Sequence, residues 1–121
     1  MGLVSAIFLI LVVGVLVVAI LRMVRTSADA FALDVVNQRA LLAAESGAEL
    51  GLNRIFAPAG GGACGNWNWD LGGTGLTACR AVVTCTTEVV AAVSYYTLES
   101  SGRCDLGGVV AERRLLVRAQ P

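Results

Sequence analysis

The sequence predicts an α+β protein in which one long N-terminal helix is followed by a small antiparallel sheet. The segment Leu3–Leu21 contains no charged side chain, and no proline interrupts positions 1–57. Three later runs have strand character, and they are Cys79–Val90, Val93–Ser101 and Val109–Arg118. A helix followed by consecutive strands, rather than an alternation of the two, is typical of the α+β class.

The first part of the predicted helix, residues 1–25, is suited to a membrane or to another dry environment. A helix crosses the roughly 30 Å of bilayer hydrocarbon with about 20 apolar residues, and Leu3–Leu21 is close to that length. Arg22 and Arg25 then end the apolar run. We therefore expect residues 1–25 to form a transmembrane segment or the core of an assembly.

The second part, residues 26–56, has an amphipathic pattern and continues the same helix, for a total of about 54 residues or roughly 80 Å. Its larger apolar residues recur near helical spacing among many alanines, and they are Phe31, Val35, Leu42, Leu50 and Ile55. Pro58 and the glycines at 60–62 predict the end of the helix. The alanine-rich part, Ala40–Ile55, is the segment that we expect to cover the apolar face of a three-stranded sheet.

A glycine-rich loop is predicted for residues 57–78, followed by the sheet at 79–121. In this loop Trp67 and Trp69 alternate in a strand-like or extended pentapeptide, so both indoles should face the same side. Packing of at least one of them beneath the loop is the favoured interpretation, with an exposed adhesive or sugar-binding patch as the alternative.

Alternating polar and apolar residues in Cys79–Val90 predict a strand with one buried face. Turn-forming residues separate the last two strands, and they are Gly102, Asp105, Gly107 and Gly108. The turn between the first two strands falls at Ala91-Ala92, where the turn signal is weak.

Composition argues against several classes of function. Nine basic and nine acidic residues give no net charge, so no electrostatic case exists for binding nucleic acid. The chain has no histidine and no C-x-x-C motif, which removes the usual metal and redox ligands. Glu45 and Glu49 share a helix face and Arg113, Arg114 and Arg118 cluster near the C-terminus, but solvation accounts for both groups. The sequence thus predicts a protein with no catalytic residues, metal or cofactor.

The four cysteines all follow the apolar segment, and they predict two disulfides and an oxidising compartment. Cys79 and Cys85 lie in one strand and are roughly 20 Å apart when extended, which excludes that pair. Two connectivities remain: Cys64 with Cys79 and Cys85 with Cys104, or Cys79 with Cys104 and Cys64 with Cys85. In a hairpin that turns at Ala91-Ala92, two residues lie opposite each other when their numbers sum to about 183. Cys79 and Cys104 meet this condition, which favours the second set.

Four segments of this chain carry a resemblance to a known family. They are Leu3–Leu9, Ala44–Gly51, Val82–Thr86 and Glu112–Leu115. In these segments the chain resembles the type IV pilins, and more closely the minor pilins of the mannose-sensitive haemagglutinin pilus system.

The resemblance implies a subunit that is cut after a glycine by a prepilin peptidase, N-methylated at Met1 and anchored in the inner membrane by its helix. It implies that a pilus assembly machinery then moves the subunit into a surface filament, beside other copies or related pilins. The expected filament-core residues are Leu3, Val4, Ser5, Ile7, Phe8, Leu11, Gly14, Val15, Val18 and Leu21. Ser5 departs from most pilins, which carry glutamate at this position, although the minor pilins that the chain resembles also lack it.

Two hypotheses about function follow. The first is a structural subunit of a type IV pilus-like extracellular filament. The second is a monomeric single-span membrane protein with a small disulfide-bonded periplasmic binding domain. A basic leader that ends in glycine just before Met1 would favour the first hypothesis, and we expect such a leader to have been removed.

Overall fold

The computed structural model describes residues 2–58 and 62–121. Its elements are a helix α1 (Gly2–Ile55), strand β1 (Asn66–Asp70), a short 3-10 turn (Gly72–Thr74) and strands β2 (Cys79–Val90), β3 (Val93–Leu106) and β4 (Val109–Ala119). Met1, the expected site of N-methylation, lies outside the described residues. The chain divides into two compact units, Met1–Leu33 and Asp34–Pro121.

The predicted long helix is confirmed, since α1 contains 54 residues. Its last turn closes where the Phe56 amide donates to the Leu52 carbonyl at 2.9 Å. Pro58 follows two residues later and cannot continue the helix. The predicted α+β class is therefore correct.

The sheet has four antiparallel strands in the order β1-β2-β3-β4, so the prediction of three strands was wrong. The additional strand, β1, lies in the segment predicted as a loop, and it pairs with β2 through contacts such as Trp67↔Val83. It has only 5 residues and is flanked by glycines, and this glycine-rich composition is the reason that the region was predicted as a loop. Trp67 and Trp69 favour a strand, whereas the asparagines and Asp70 disfavour one, so the hydrogen bonds to β2 decide the conformation of the segment.

The two long hairpins turn where φ is positive. In the β2–β3 hairpin, Val90 pairs with Val93, and the intervening Ala91 and Ala92 have φ values of 51° and 65°. The β3–β4 hairpin turns at Gly107-Gly108, with φ values of 63° and 89°. Such values at both central residues are those of the type I′ turn, whose twist matches that of the flanking strands.

Strand β3 runs to Leu106, beyond its predicted end at Ser101. Gly102, which was predicted as a turn residue, lies within the strand and is buried. A Cβ atom at this position would overlap the backbone of the helix at Ala40 and Ala44. Glycine is therefore needed here for the close approach of two backbones rather than for a turn.

The helix segment Ala40–Ile55 covers the sheet, as expected, but it does so with small side chains. Its buried residues from position 40 onward are Ala40, Ala43, Ala44, Gly47, Ala48, Gly51 and Ile55. Most of the larger residues that define the amphipathic pattern are exposed, for example Phe31 at 71% and Leu42 at 51%. Small residues occupy this face because they let the helix backbone approach the sheet closely.

A hydrogen bond and tight packing fix this approach. The Ser100 hydroxyl, which is fully buried, donates to the Ala44 carbonyl at 2.6 Å. At Gly47, an added Cβ would lie 2.7 Å from Ala81 Cβ and 2.7 Å from Ser100 Oγ. Farther along the helix, Ile55 packs with Val83 and Leu98 in a second apolar cluster.

The structure contains two disulfides, Cys64–Cys85 and Cys79–Cys104. This is the connectivity that the hairpin register favours, since Cys79 and Cys104 are direct partners across β2 and β3. The Cys64–Cys85 bond ties the loop before β1 to the middle of β2. Together the bonds hold the segment 64–79 against the sheet.

Candidate membrane and assembly surface

The apolar N-terminal part of α1 is exposed along its length. Leu3 is 75% exposed, Phe8 67% and Val15 70%. An 18-residue window of this helix has a mean hydropathy of 3.3, and none of it is buried. By length and composition this is the one helix in the described residues that could cross a membrane.

All of the expected filament-core residues belong to this exposed segment. None of them is buried within the chain, and they are Leu3, Val4, Ser5, Ile7, Phe8, Leu11, Gly14, Val15, Val18 and Leu21. Exposed apolar surface of this extent is rare in soluble monomers and marks a surface that binds lipid or protein. These side chains are therefore free to pack against lipid or against another helix.

Gly14 forms a notch in this apolar surface. Ile10, Leu11, Val15 and Val18 line the depression around it. A Cβ added at Gly14 would meet nothing within 4 Å. Within one copy, then, nothing requires a glycine at this position for space. Small residues on apolar helices allow another helix backbone to approach closely, so the notch suits helix–helix packing.

Ser5 places a neutral hydroxyl near the start of the apolar segment. A buried carboxylate requires a charged or hydrogen-bonding partner to offset its desolvation. A hydroxyl has a much smaller desolvation cost. This helix can therefore enter a dry environment without a pairing partner at position 5.

The end of the apolar segment is marked by Arg22 and Arg25, both exposed. Thr26 follows, and its hydroxyl donates to the Arg22 carbonyl at 3.0 Å, so that its polar group is satisfied within the helix. Arginine side chains at the end of an apolar helix can extend their charged groups toward water. The apolar surface thus has a defined boundary at this point.

In the Asp34–Pro121 unit, the helix also exposes apolar side chains on the side away from the sheet. Val35 is 41% exposed, Leu42 51% and Leu50 40%. Val35 and Leu42 are seven residues apart and share one helix face. Glu45 and Glu49 are exposed in the same region, and among the described residues neither has an ion-pair partner.

Trp67 and Trp69 lie on the same side of β1, as their alternation predicts. Their rings stack with centroids 5.8 Å apart and planes at 21°. Both are half-buried, and both pack against the cluster that contains Val83 and Leu98. Packing on the core is therefore their observed role, and the alternative of an exposed aromatic patch is not what the structure has.

The outer face of the sheet carries a small network of charges around Glu112. The carboxylate of Glu112 accepts hydrogen bonds from Ser101 Oγ at 2.9 Å and from Arg114 Nε at 3.3 Å. These two bonds, in that order of importance, hold the pKa of Glu112 below its usual value. Arg114 also lies 3.6 Å from Glu99. All of these groups are solvent-accessible, so the network contributes little to stability.

Comparison of the chain with protein-family models, curated proteins and solved structures finds no significant match. Within residues 2–58 and 62–121, no group of three or more His, Cys, Asp or Glu side chains is placed to hold a metal ion. The case for function therefore depends on the geometry of this chain.

Sequence reasoning missed the residues that join helix and sheet, namely Gly47, Ser100 and Gly102. A signal for the first of them was present, because alanine and glycine recur three or four residues apart from Ala40 to Gly51. Ser100 and Gly102 gave no such signal. Their roles depend on a contact with residues more than 50 positions earlier in the chain.

Proposed function

We propose that this protein is a pilin, a structural subunit of a type IV pilus-like extracellular filament. One observation carries the proposal: an apolar segment with no buried residue continues, within one helix, into a small disulfide-bonded sheet domain. Before assembly the apolar segment anchors the subunit in the inner membrane. After assembly it packs against the same segment of other copies or of related pilins.

The free energy of burying the apolar segment supports both states. At about 25 cal/mol per Å², an apolar surface of this size corresponds to tens of kcal/mol, so it must be covered by lipid or by protein. The notch at Gly14 indicates that a protein helix covers this surface in one of the two states, because a lipid chain does not need a glycine in order to pack. Transfer from lipid into a helix bundle exchanges one apolar environment for another, so it exposes no apolar surface to water.

The sheet domain has the properties expected of a part that faces an oxidising aqueous environment. Its two disulfides hold together a core in which few side chains are large. Disulfides of this kind persist in the periplasm and at the cell surface. In the proposed role the domain is a structural element of the filament surface and has no enzymatic activity.

A substitution at Gly14 separates the filament hypothesis from that of a monomeric single-span protein. Gly14→Leu keeps the segment apolar, and a Cβ at this position meets nothing within 4 Å, so the variant should still enter the membrane. In a filament, however, the added side chain fills the notch that a neighbouring helix occupies. We expect at least a tenfold loss of surface filaments at an unchanged level in the membrane fraction.

Val13→Glu and Val13→Leu are the matched pair for the wider apolar surface. The charged variant should abolish assembly, since the carboxylate would have no partner in the helix bundle, whereas Val13→Leu should assemble normally. Normal filaments from both Val13→Glu and Gly14→Leu would contradict the proposal and favour the monomeric alternative. Mass spectrometry of the N-terminal peptide tests the accompanying expectation that Met1 is N-methylated.

A further inference from the structure

Two arginines lie directly opposite each other on the outer face of the sheet. Arg80 of β2 pairs in register with Arg103 of β3, and both side chains are exposed. The neighbouring pair in the register is the disulfide Cys79–Cys104, whose Cα atoms are 4.1 Å apart, so the two strands are covalently held at this point. Like charges directly opposite on adjacent strands destabilise a sheet. Asp70 of β1 and Glu112 of β4 flank the pair in the register, and their carboxylates offset part of this repulsion.

The two acidic residues that flank the pair also accept hydrogen bonds from other groups. Asp70 is the partner of Arg80 across β1 and β2, and its carboxylate accepts a hydrogen bond from the Gly72 amide at 2.9 Å. Glu112, the partner of Arg103, accepts hydrogen bonds from Ser101 and Arg114, and the charge of Arg103 adds to the lowering of its pKa. Among the described residues, neither Arg80 nor Arg103 has an ion-pair partner.

A cleft of about 240 Å³ lies beside this arginine pair, and Ala78, Arg80, Arg103 and Asp105 line it. The small side chain of Ala78 leaves the space open. Asp105 contributes one carboxylate to the wall, so the cleft carries two positive charges and one negative charge. Its volume is sufficient for a small anion.

We propose that this cleft binds a tetrahedral oxyanion, either phosphate or sulfate. Guanidinium groups present several N–H donors in a fixed plane, which suits two oxygens of such an anion, and charge-assisted bonds of this kind are strong. An anion between Arg80 and Arg103 would remove their mutual repulsion, while Asp105 would limit the affinity. The anion can be free in solution or carried by a carbohydrate, and the proposal does not depend on filament formation.

The first test uses thermal unfolding of the full chain in uncharged maltoside micelles. The Tm values of the unchanged protein and of Arg103→Gln are each measured in sodium chloride and in sodium sulfate. Sulfate at equal ionic strength should raise the Tm of the unchanged protein more than that of Arg103→Gln, since only the former binds the anion. Arg118→Gln is the matched control, because Arg118 lies opposite Thr97 and the loss of charge is the same. An equal rise of the Tm in sulfate for the unchanged protein and for Arg103→Gln would overturn the proposal.

The second test follows the arginine Nε–Hε resonances by NMR during titration with sodium sulfate at constant ionic strength. Arg80 and Arg103 should shift along one saturating curve and Arg118 should not, and Asp105→Asn should lower the Kd at least threefold. Tighter binding of a monosulfated monosaccharide than of inorganic sulfate would identify a carbohydrate as the source, and equal binding would identify the free ion. Uniform, non-saturating shifts of all arginine resonances would overturn the proposal.

Discussion

The Ser100 hydroxyl and the Ala44 carbonyl join the sheet to the helix through a 2.6 Å hydrogen bond at a fully buried position. The Ala44 carbonyl is already an acceptor within the helix, so it receives a second bond from the strand. This contact requires the helix backbone to lie close to β3. The small residues around it, Ala40, Gly47 and Gly102, provide that proximity.

Ser100→Ala should destabilise the sheet domain by about 1 kcal/mol, because it removes one buried hydrogen bond and leaves the Ala44 carbonyl bonded within the helix. Denaturant unfolding can be followed by the fluorescence of Trp67 and Trp69, which are half-buried against the core. Ser94→Ala is the matched control and should have little effect. Equal stability of the Ser100→Ala variant and the unchanged protein would show that the contact is not formed in solution.

Gly102→Ala should have a much larger effect, of about 3 kcal/mol or more. The added methyl group would overlap backbone atoms of Ala40 and Ala44, which cannot rotate away as a side chain could. Gly73→Ala is the control, since an added Cβ there meets nothing within 4 Å. Unfolding midpoints of the two variants should therefore differ widely, and similar midpoints would contradict the observed packing of helix on strand.

The β2–β3 turn is expected to be stabilised by the double substitution Ala91→Asn and Ala92→Gly. Both alanines have positive φ, a region that asparagine and glycine adopt at lower cost. We expect a gain of about 1 kcal/mol in the free energy of unfolding. Ala92→Pro is the opposite control, because proline fixes φ near −65° and should destabilise the hairpin. A gain from the proline variant would rule out the observed turn.

Reduction of the disulfides should unfold the sheet domain and leave the apolar helix in the membrane. The bonded cysteines are separated by 21 and 25 positions, and closing loops of this length stabilises a domain by roughly 3 kcal/mol each. Mass spectrometry of unreduced peptides should recover Cys64 linked to Cys85 and Cys79 linked to Cys104. Recovery of a Cys64–Cys79 peptide would contradict the register of β2 and β3.

Local patterns were sufficient to predict the long helix and the three long strands. Hydrophobic runs and the lack of an interrupting proline defined α1, and alternation defined β2 from Cys79 to Val90. The position of the β2–β3 turn at Ala91-Ala92 followed from the same pattern, although alanine gives only a weak turn signal.

The strand β1, the end of β3 and the buried face of the helix could not be predicted in this way. β1 depends on pairing with β2, and Gly102 depends on the helix backbone that lies against it. Ala40–Ile55 was expected to cover the sheet because it is rich in alanine, but the individual residues that touch the sheet were not identified. Close contact with the sheet favours alanine and glycine, and Leu42 lies on the exposed side.

Helical reconstruction of filaments sheared from cells that express this chain tests the central proposal most directly. We predict a filament whose central bundle consists of the segments Leu3–Leu21 from successive copies or related pilins, with another helix packed into the notch at Gly14. The contradicting result is that the chain remains in the membrane fraction as a monomer and contributes no density to any surface filament.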